Sequence, residues 1–122
     1  VFFPVSEWFP AFLLTLAVEV PIVLVMLRRM GPDIPRLALL VTFANLATHP
    51  AVWFVFTQLF LAGTAEYAIA AEVWAVAVEG LFYAIVVRGI TVRQAIAVTV
   101  IANAASFIIG RLVGAPVFEI FG

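Results

Sequence analysis

Seven acidic and six basic side chains punctuate a 122-residue chain that is 66% hydrophobic, and two of the acids lie deep in apolar sequence. Glu19 sits within Leu16-Ala17-Val18-Glu19-Val20 and Glu79 within Ala77-Val78-Glu79-Gly80, each nine residues before an arginine, Arg28 and Arg88. Asn45 and Asn103 follow Arg36 and Arg93 by nine and ten residues, again inside apolar runs, and each is followed three residues later by a hydroxyl, Thr48 or Ser106. Carboxylates accept hydrogen bonds or bind cations, and a carboxamide supplies both donors and a neutral oxygen ligand. Together they have the chemistry of a site for a proton, a metal ion or an organic cation.

Chains that face water hold about a quarter of their residues as Asp, Glu, Lys and Arg; here the share is 11%. The outer surface must therefore face lipid. About 20 helical residues cross a hydrocarbon core of about 30 Å, and four runs are long enough, at about 8–29, 37–62, 67–88 and 92–113. They are continuously apolar rather than alternating, which excludes a transmembrane barrel and leaves helices. The breaks carry turn chemistry: Gly31-Pro32-Asp33-Ile34-Pro35 after Arg28 and Arg29, then Gly63-Thr64-Ala65-Glu66, then Gly89-Ile90-Thr91. Connections this short make successive helices antiparallel neighbours.

The two halves repeat one another, 8–62 against 67–113, with Ala17-Val18-Glu19 matching Ala77-Val78-Glu79 and the Arg-to-Asn segments matching with one insertion. The expected fold is an all-α, polytopic integral membrane protein. Its single transmembrane domain consists of two tandem antiparallel hairpins related by a pseudo-twofold axis along the membrane normal. At 1.5 Å per residue, nine or ten residues from the arginines is about 14 Å, so Glu19, Asn45, Glu79 and Asn103 should share a layer near the bilayer centre. A carboxylate there costs about 2.5–3.5 kcal/mol on insertion scales, which requires both glutamates to face the bundle interior. Two carboxyls sharing a low-dielectric layer do not both ionise cheaply, so they should share protons as a pair.

Three more polar residues break the symmetry: Glu72 two turns from Glu79, His49 one turn from Asn45, and Arg111 on the far half of the fourth helix. With Thr48 and Ser106 they form a candidate pathway from the central layer to the surface, in which His49 would relay protons. Glu72 and Arg111 are equally readable as an ion pair near the interface. Pro21 and Pro50 each remove a helical hydrogen bond and free a carbonyl, at Ala17 and Leu46, close to the same layer.

Five of the six arginines flank the first and third loops, and the second carries Glu66 instead. By the positive-inside rule both termini lie outside, with Trp8, Trp53, Trp74 and Tyr67 in the outer half as an interfacial belt. The expected setting is a bacterial inner membrane. The chain begins with Val1 rather than methionine, the expected result of processing or trimming.

The sequence lacks cysteine and has one histidine, which rules out thiolate ligation and a multi-histidine metal centre within one chain. A net charge of −1 gives no basic surface for nucleic acid. No phosphate loop or nucleophilic triad is present, and neither a cofactor nor a particular metal can be named. The leading expectation is a small transporter or channel with a midplane Glu/Asn site for a proton or cation, working as a homo-oligomer or beside other membrane subunits in contact with lipid. The alternative is a non-catalytic accessory subunit in which the polar layer clamps the helices together. An intramembrane enzyme using Glu79 and His49 as acid and base is the third and least supported reading.

Overall fold

The computed structural model describes residues 5–30, 33–61 and 63–121, with side chains described from 6 to 113 within those ranges. The described residues form helices and turns, with no strand among them. Helix α1 (Val5–Leu27) closes in a 3-10 turn at Arg28–Met30, followed by α2 (Ile34–Phe54), the short α3 (Phe56–Leu59), α4 (Ala65–Val86) and α5 (Val92–Phe121). Four stretches are long and apolar enough to cross a membrane: Ser6–Met30, Ile34–Leu59, Ala65–Val86 and Val92–Val113. The described residues are thus all-helical, and their four long apolar helices mark an integral membrane protein.

Local chemistry explains where the helices start. The Asp33 carboxylate accepts from the Arg36 backbone N–H at 3.0 Å, so α2 begins at Ile34, three residues before the predicted start. Thr64 accepts from the Tyr67 N–H at 3.3 Å and likewise draws the start of α4 forward to Ala65. At α5 a reciprocal box forms: the Gln94 N–H donates to Thr91 Oγ1 at 3.1 Å and the Thr91 N–H to Gln94 Oε1 at 2.9 Å. Gly63 and Gly89 turn the chain with φ of 85° and 83°, a backbone region that side chains other than glycine enter at a penalty.

The second span differs from its predicted form, a single helix over 37–62. α2 stops at Phe54 and a separate turn of helix follows. At the break the Gln58 N–H bonds the Val55 carbonyl at 3.0 Å instead of that of Phe54, and the Gln58 side chain takes the Phe54 carbonyl at 2.9 Å. The predicted end at Ala62, the Gly31-Pro32 stop and Val1 lie outside the described residues.

Each long helix packs on two others: α1 on α2 and α5, and α4 on α2 and α5. At one end of this ring, toward the arginine-bearing turns, the interior is filled by Val23, Leu27, Val41, Tyr83, Val87 and Val98, each at most 2% exposed. Small residues let the backbones approach there, as is usual where lipid removes the hydrophobic drive for association. Ala44, Ala95 and Ala102 are buried, and a Cβ on Gly80 would meet Thr99 Oγ1 at 3.6 Å. Large side chains such as Val25, Phe43, Ile85 and Leu112 are exposed on the outside, a surface suited to acyl chains.

Candidate functional site

Glu19 on α1 and Glu79 on α4 are each 1% exposed, Asn45 on α2 is 1% and Asn103 on α5 is 6% exposed. Asn45 Nδ2 donates to Glu19 Oε1 at 3.3 Å, and Asn103 Nδ2 donates to Glu79 Oε2 at 2.9 Å. The predicted four-residue constellation thus forms two Glu–Asn pairs, one between α1 and α2 and one between α4 and α5. Each asparagine also donates to a carbonyl one turn back on its own helix, Asn45 to Val41 at 3.0 Å and Asn103 to Thr99 at 2.8 Å. That second bond fixes the amide rotamer and leaves the carboxamide oxygen of each asparagine for other partners.

Ser106 links the pairs. Its hydroxyl lies 2.8 Å from Glu19 Oε2 and 3.1 Å from the Asn103 carbonyl, so α5 is joined to α1 across the bundle. A hydroxyl has one proton and two lone pairs. Ser106 can donate to a Glu19 carboxylate, or it can turn its proton to the Asn103 carbonyl and accept from a protonated Glu19. The position matched to Ser106 in the first half behaves differently: Thr48 bonds the carbonyls of Ala44 and Asn45 on its own helix, at 3.2 and 3.4 Å.

A cavity of about 770 Å³ reaches this layer. Its deepest polar lining is Glu19, Asn45 and Asn103, with Thr48 and Ser106 one turn above. On α1 and α4 the lining residues precede the central glutamates, and on α2 and α5 they begin at the asparagines and continue beyond them. The cavity therefore opens toward the end of the bundle where α1 and α4 begin. Glu79 is outside the lining, and the apolar cluster of Val23, Val41, Tyr83 and Val98 closes the opposite end. Among the described residues the bundle thus holds a vestibule with an acidic floor, and a buried apolar cluster, here called the seal, lies beyond that floor.

Glu72, His49 and Arg111 also line this vestibule. Glu72 and Glu19 lie within electrostatic range of Glu79. Among the described residues no ion pair joins Glu72 to Arg111, whose guanidinium instead stands 5.6 Å from the centre of the Phe107 ring. The His49 hydrogen bonds go to α1 rather than to either glutamate: Trp8 Nε1 donates to Nδ1 at 3.0 Å, and Nε2 lies 3.2 Å from Thr15 Oγ1. An indole N–H can only donate, so Nδ1 is the unprotonated nitrogen and Nε2 carries the proton that Thr15 receives. Trp8, Phe12 and Trp53 surround the ring, with centroids 6.4, 5.6 and 6.4 Å away.

Sequence reasoning passed over several residues near the site. Thr15 was signalled only by lying one turn before Glu19 on the same helix face. Trp8, assigned to an interfacial belt, also holds His49. Tyr83, one turn from Glu79, is buried in the seal with a hydroxyl that has no hydrogen-bond partner among the described residues, and the same holds for the indole N–H of Trp74. Tyr67, by contrast, donates from its hydroxyl to the Val52 carbonyl at 3.0 Å and ties α4 to the end of α2.

Among the described residues no three His, Cys, Asp or Glu side chains cluster as a metal site. The layer offers carboxylate and amide oxygens, hard ligands without a thiolate or imidazole among them, at the foot of a roomy vestibule. No family model, curated protein or solved structure matches the chain.

Proposed function

We propose that the chain is a small membrane carrier or channel for protons or cations, with Glu19, Asn45, Glu79 and Asn103 as its midplane site. The observation that carries this reading is the vestibule: about 770 Å³ of space has Glu19, Asn45 and Asn103 as its polar floor, and a buried apolar cluster lies beyond them. A carrier that alternates access needs such a site, open to one side and closed to the other. Ser106 can serve either protonation state of Glu19, which suits a carboxyl that gains and loses a proton in a working cycle.

The two hairpins are proposed to be a duplication related by an axis along the membrane normal, with the recurring Glu–Asn pair in support. Rocking one hairpin against the other would break the Ser106–Glu19 link and open the sealed end. The vestibule would face the outside, since the arginine-bearing turns at the sealed end favour the cytoplasm. The exposed apolar flanks would be covered by lipid, a second copy or other membrane subunits.

The second reading, an accessory subunit with a polar clamp, draws on a specific observation too: both glutamates are hydrogen-bonded by asparagines across their hairpins. Reconstitution separates the two. The purified chain in liposomes, given a pH or potassium gradient, should pass protons or a monovalent cation faster than protein-free vesicles. Leak at the protein-free rate, with the chain folded, would leave the clamp.

A further inference from the structure

We propose that the vestibule is a binding site for a hydrophobic organic monocation, an amine or onium group carried on an apolar body, which competes with the proton for Glu19. The inference rests on the carrier reading above and names its substrate class. A proton or a hydrated inorganic ion needs a path of water width. A volume of about 770 Å³ instead falls within the range of about 300–1,000 Å³ typical of pockets for drug-sized molecules.

The lining has the composition such a ligand requires. Leu14, Val52, Ala71 and Ala75 give apolar walls, and Trp53 and Tyr67 add aromatic rings, groups that attract cations as well as apolar bodies. The polar groups converge at one end, where Glu19 lies beside the Asn45 and Asn103 amides. The titratable and charged groups facing the space are Glu7 and Glu19 from α1, His49 from α2, Tyr67 and Glu72 from α4, and Arg111 from α5. Three carboxyls thus stand against one guanidinium, and the Nδ1 of His49 is occupied by the Trp8 N–H. Arg111 lies well up the vestibule, about two turns beyond Asn103 on α5, and packs on Phe107, so the floor is acidic without a cation of its own.

The proton balance follows. When the floor is loaded with a proton, Glu19 is a neutral acid that Ser106 can accept from. When an onium group arrives it favours the carboxylate, the acid proton leaves to water through the open mouth, and the Ser106 hydroxyl turns to donate to Oε2. One charge enters and one leaves, with no bond formed to the ligand. The lipid-facing alternative, an acyl chain seated in the same space, would use the walls but have no need of Glu19.

Tetraphenylphosphonium and tetraphenylborate separate these possibilities, being similar in shape and opposite in charge. The folded chain in nanodiscs should retain tetraphenylphosphonium in equilibrium dialysis after subtraction of protein-free discs, and should not retain the borate. Glu19→Gln keeps the hydrogen-bonding capacity of the side chain and should weaken binding at least about tenfold. Glu72→Gln, at a half-buried position on the wall, should weaken it less. In weakly buffered solution the parent should release close to one proton per cation bound, and Glu19→Gln none. Equal retention of both ions, no retention of the phosphonium, or displacement of it by a neutral single-chain lipid would overturn the proposal. Cation binding with proton release but without flux in liposomes would overturn the carrier reading and leave this site standing. Proton flux without cation binding would do the reverse.

Discussion

The Ser106 hydroxyl lies 2.8 Å from Glu19 Oε2, joining residues 87 positions apart and tying the last membrane span to the first. Contacts within α1–α2 and α4–α5 are between helices joined by short turns, whereas this one connects the two hairpins. Ser106→Ala should therefore lower stability by about 1–3 kcal/mol, the usual penalty for leaving a buried polar group without its partner. Ser106→Thr, which keeps the hydroxyl, should recover most of that. Unfolding in detergent by denaturant reads both. Equal losses in the two variants would mean that packing, and not the hydroxyl, is what matters at this position.

The pairing pattern predicts specific energetic couplings. A double-mutant cycle between Glu19 and Asn45 should give an interaction of about 0.6–1.7 kcal/mol, the range of intramembrane hydrogen bonds, and Glu79 with Asn103 should give a similar value. Glu79 with Asn45, which share no hydrogen bond among those described, should couple less. Thermal unfolding of the alanine series measures all three, and a strong Glu79–Asn45 coupling would contradict the geometry.

His49 should be neutral, with its proton on Nε2. Nitrogen-15 spectra of the labelled protein should show an unprotonated Nδ1, and Trp8→Phe should shift that resonance by removing the donor 3.0 Å away. A protonated Nδ1 in the parent would mean that the Trp8 bond does not form.

The absence of cysteine from the sequence makes topology directly measurable. Ser6→Cys, at the vestibule mouth, should react in intact cells with a membrane-impermeant maleimide, and Gly89→Cys should react only after permeabilisation. Gly89→Cys places a side chain at a φ of 83°, so Thr91→Cys serves as a second reporter of the same turn. Labelling of the turns in intact cells, with Ser6→Cys protected, would invert the proposed orientation.

Much of the architecture was legible because lipid leaves few choices. Four apolar runs separated by Gly, Pro and capping residues allow only helices, and the cost of burying charge predicts that Glu19 and Glu79 turn inward, where they are found. The partners of the asparagines were partly legible for the same reason, since a buried carboxyl needs a donor. Less could be read where the outcome depends on rotamer and on which helices adjoin. Thr48 and Ser106 occupy matched positions, yet Thr48 bonds its own helix and Ser106 reaches Glu19. At the break near Val55 the Gln58 side chain takes the Phe54 carbonyl, a local contact without a periodic signal. The vestibule itself is a negative space, lined by small residues such as Ala68, Ala71 and Gly110 together with large ones such as Trp53 and Tyr67, and no periodic pattern announces it.

The central claim, that the glutamate layer is a working site and not a clamp, is tested most directly by cation-driven proton flux in liposomes for Glu19→Gln, Glu79→Gln and the double variant, with detergent melting of each measured in parallel. Glutamine retains hydrogen bonding and removes the ionisable group, so folding should persist and the double variant should be at least as stable as the parent. The account predicts that either single replacement brings flux to the protein-free level and that the double replacement does no further harm, as expected of two carboxyls acting as one unit. Flux in the double variant equal to that of the parent, together with a raised melting temperature, would contradict it and leave the Glu–Asn pairs as packing alone.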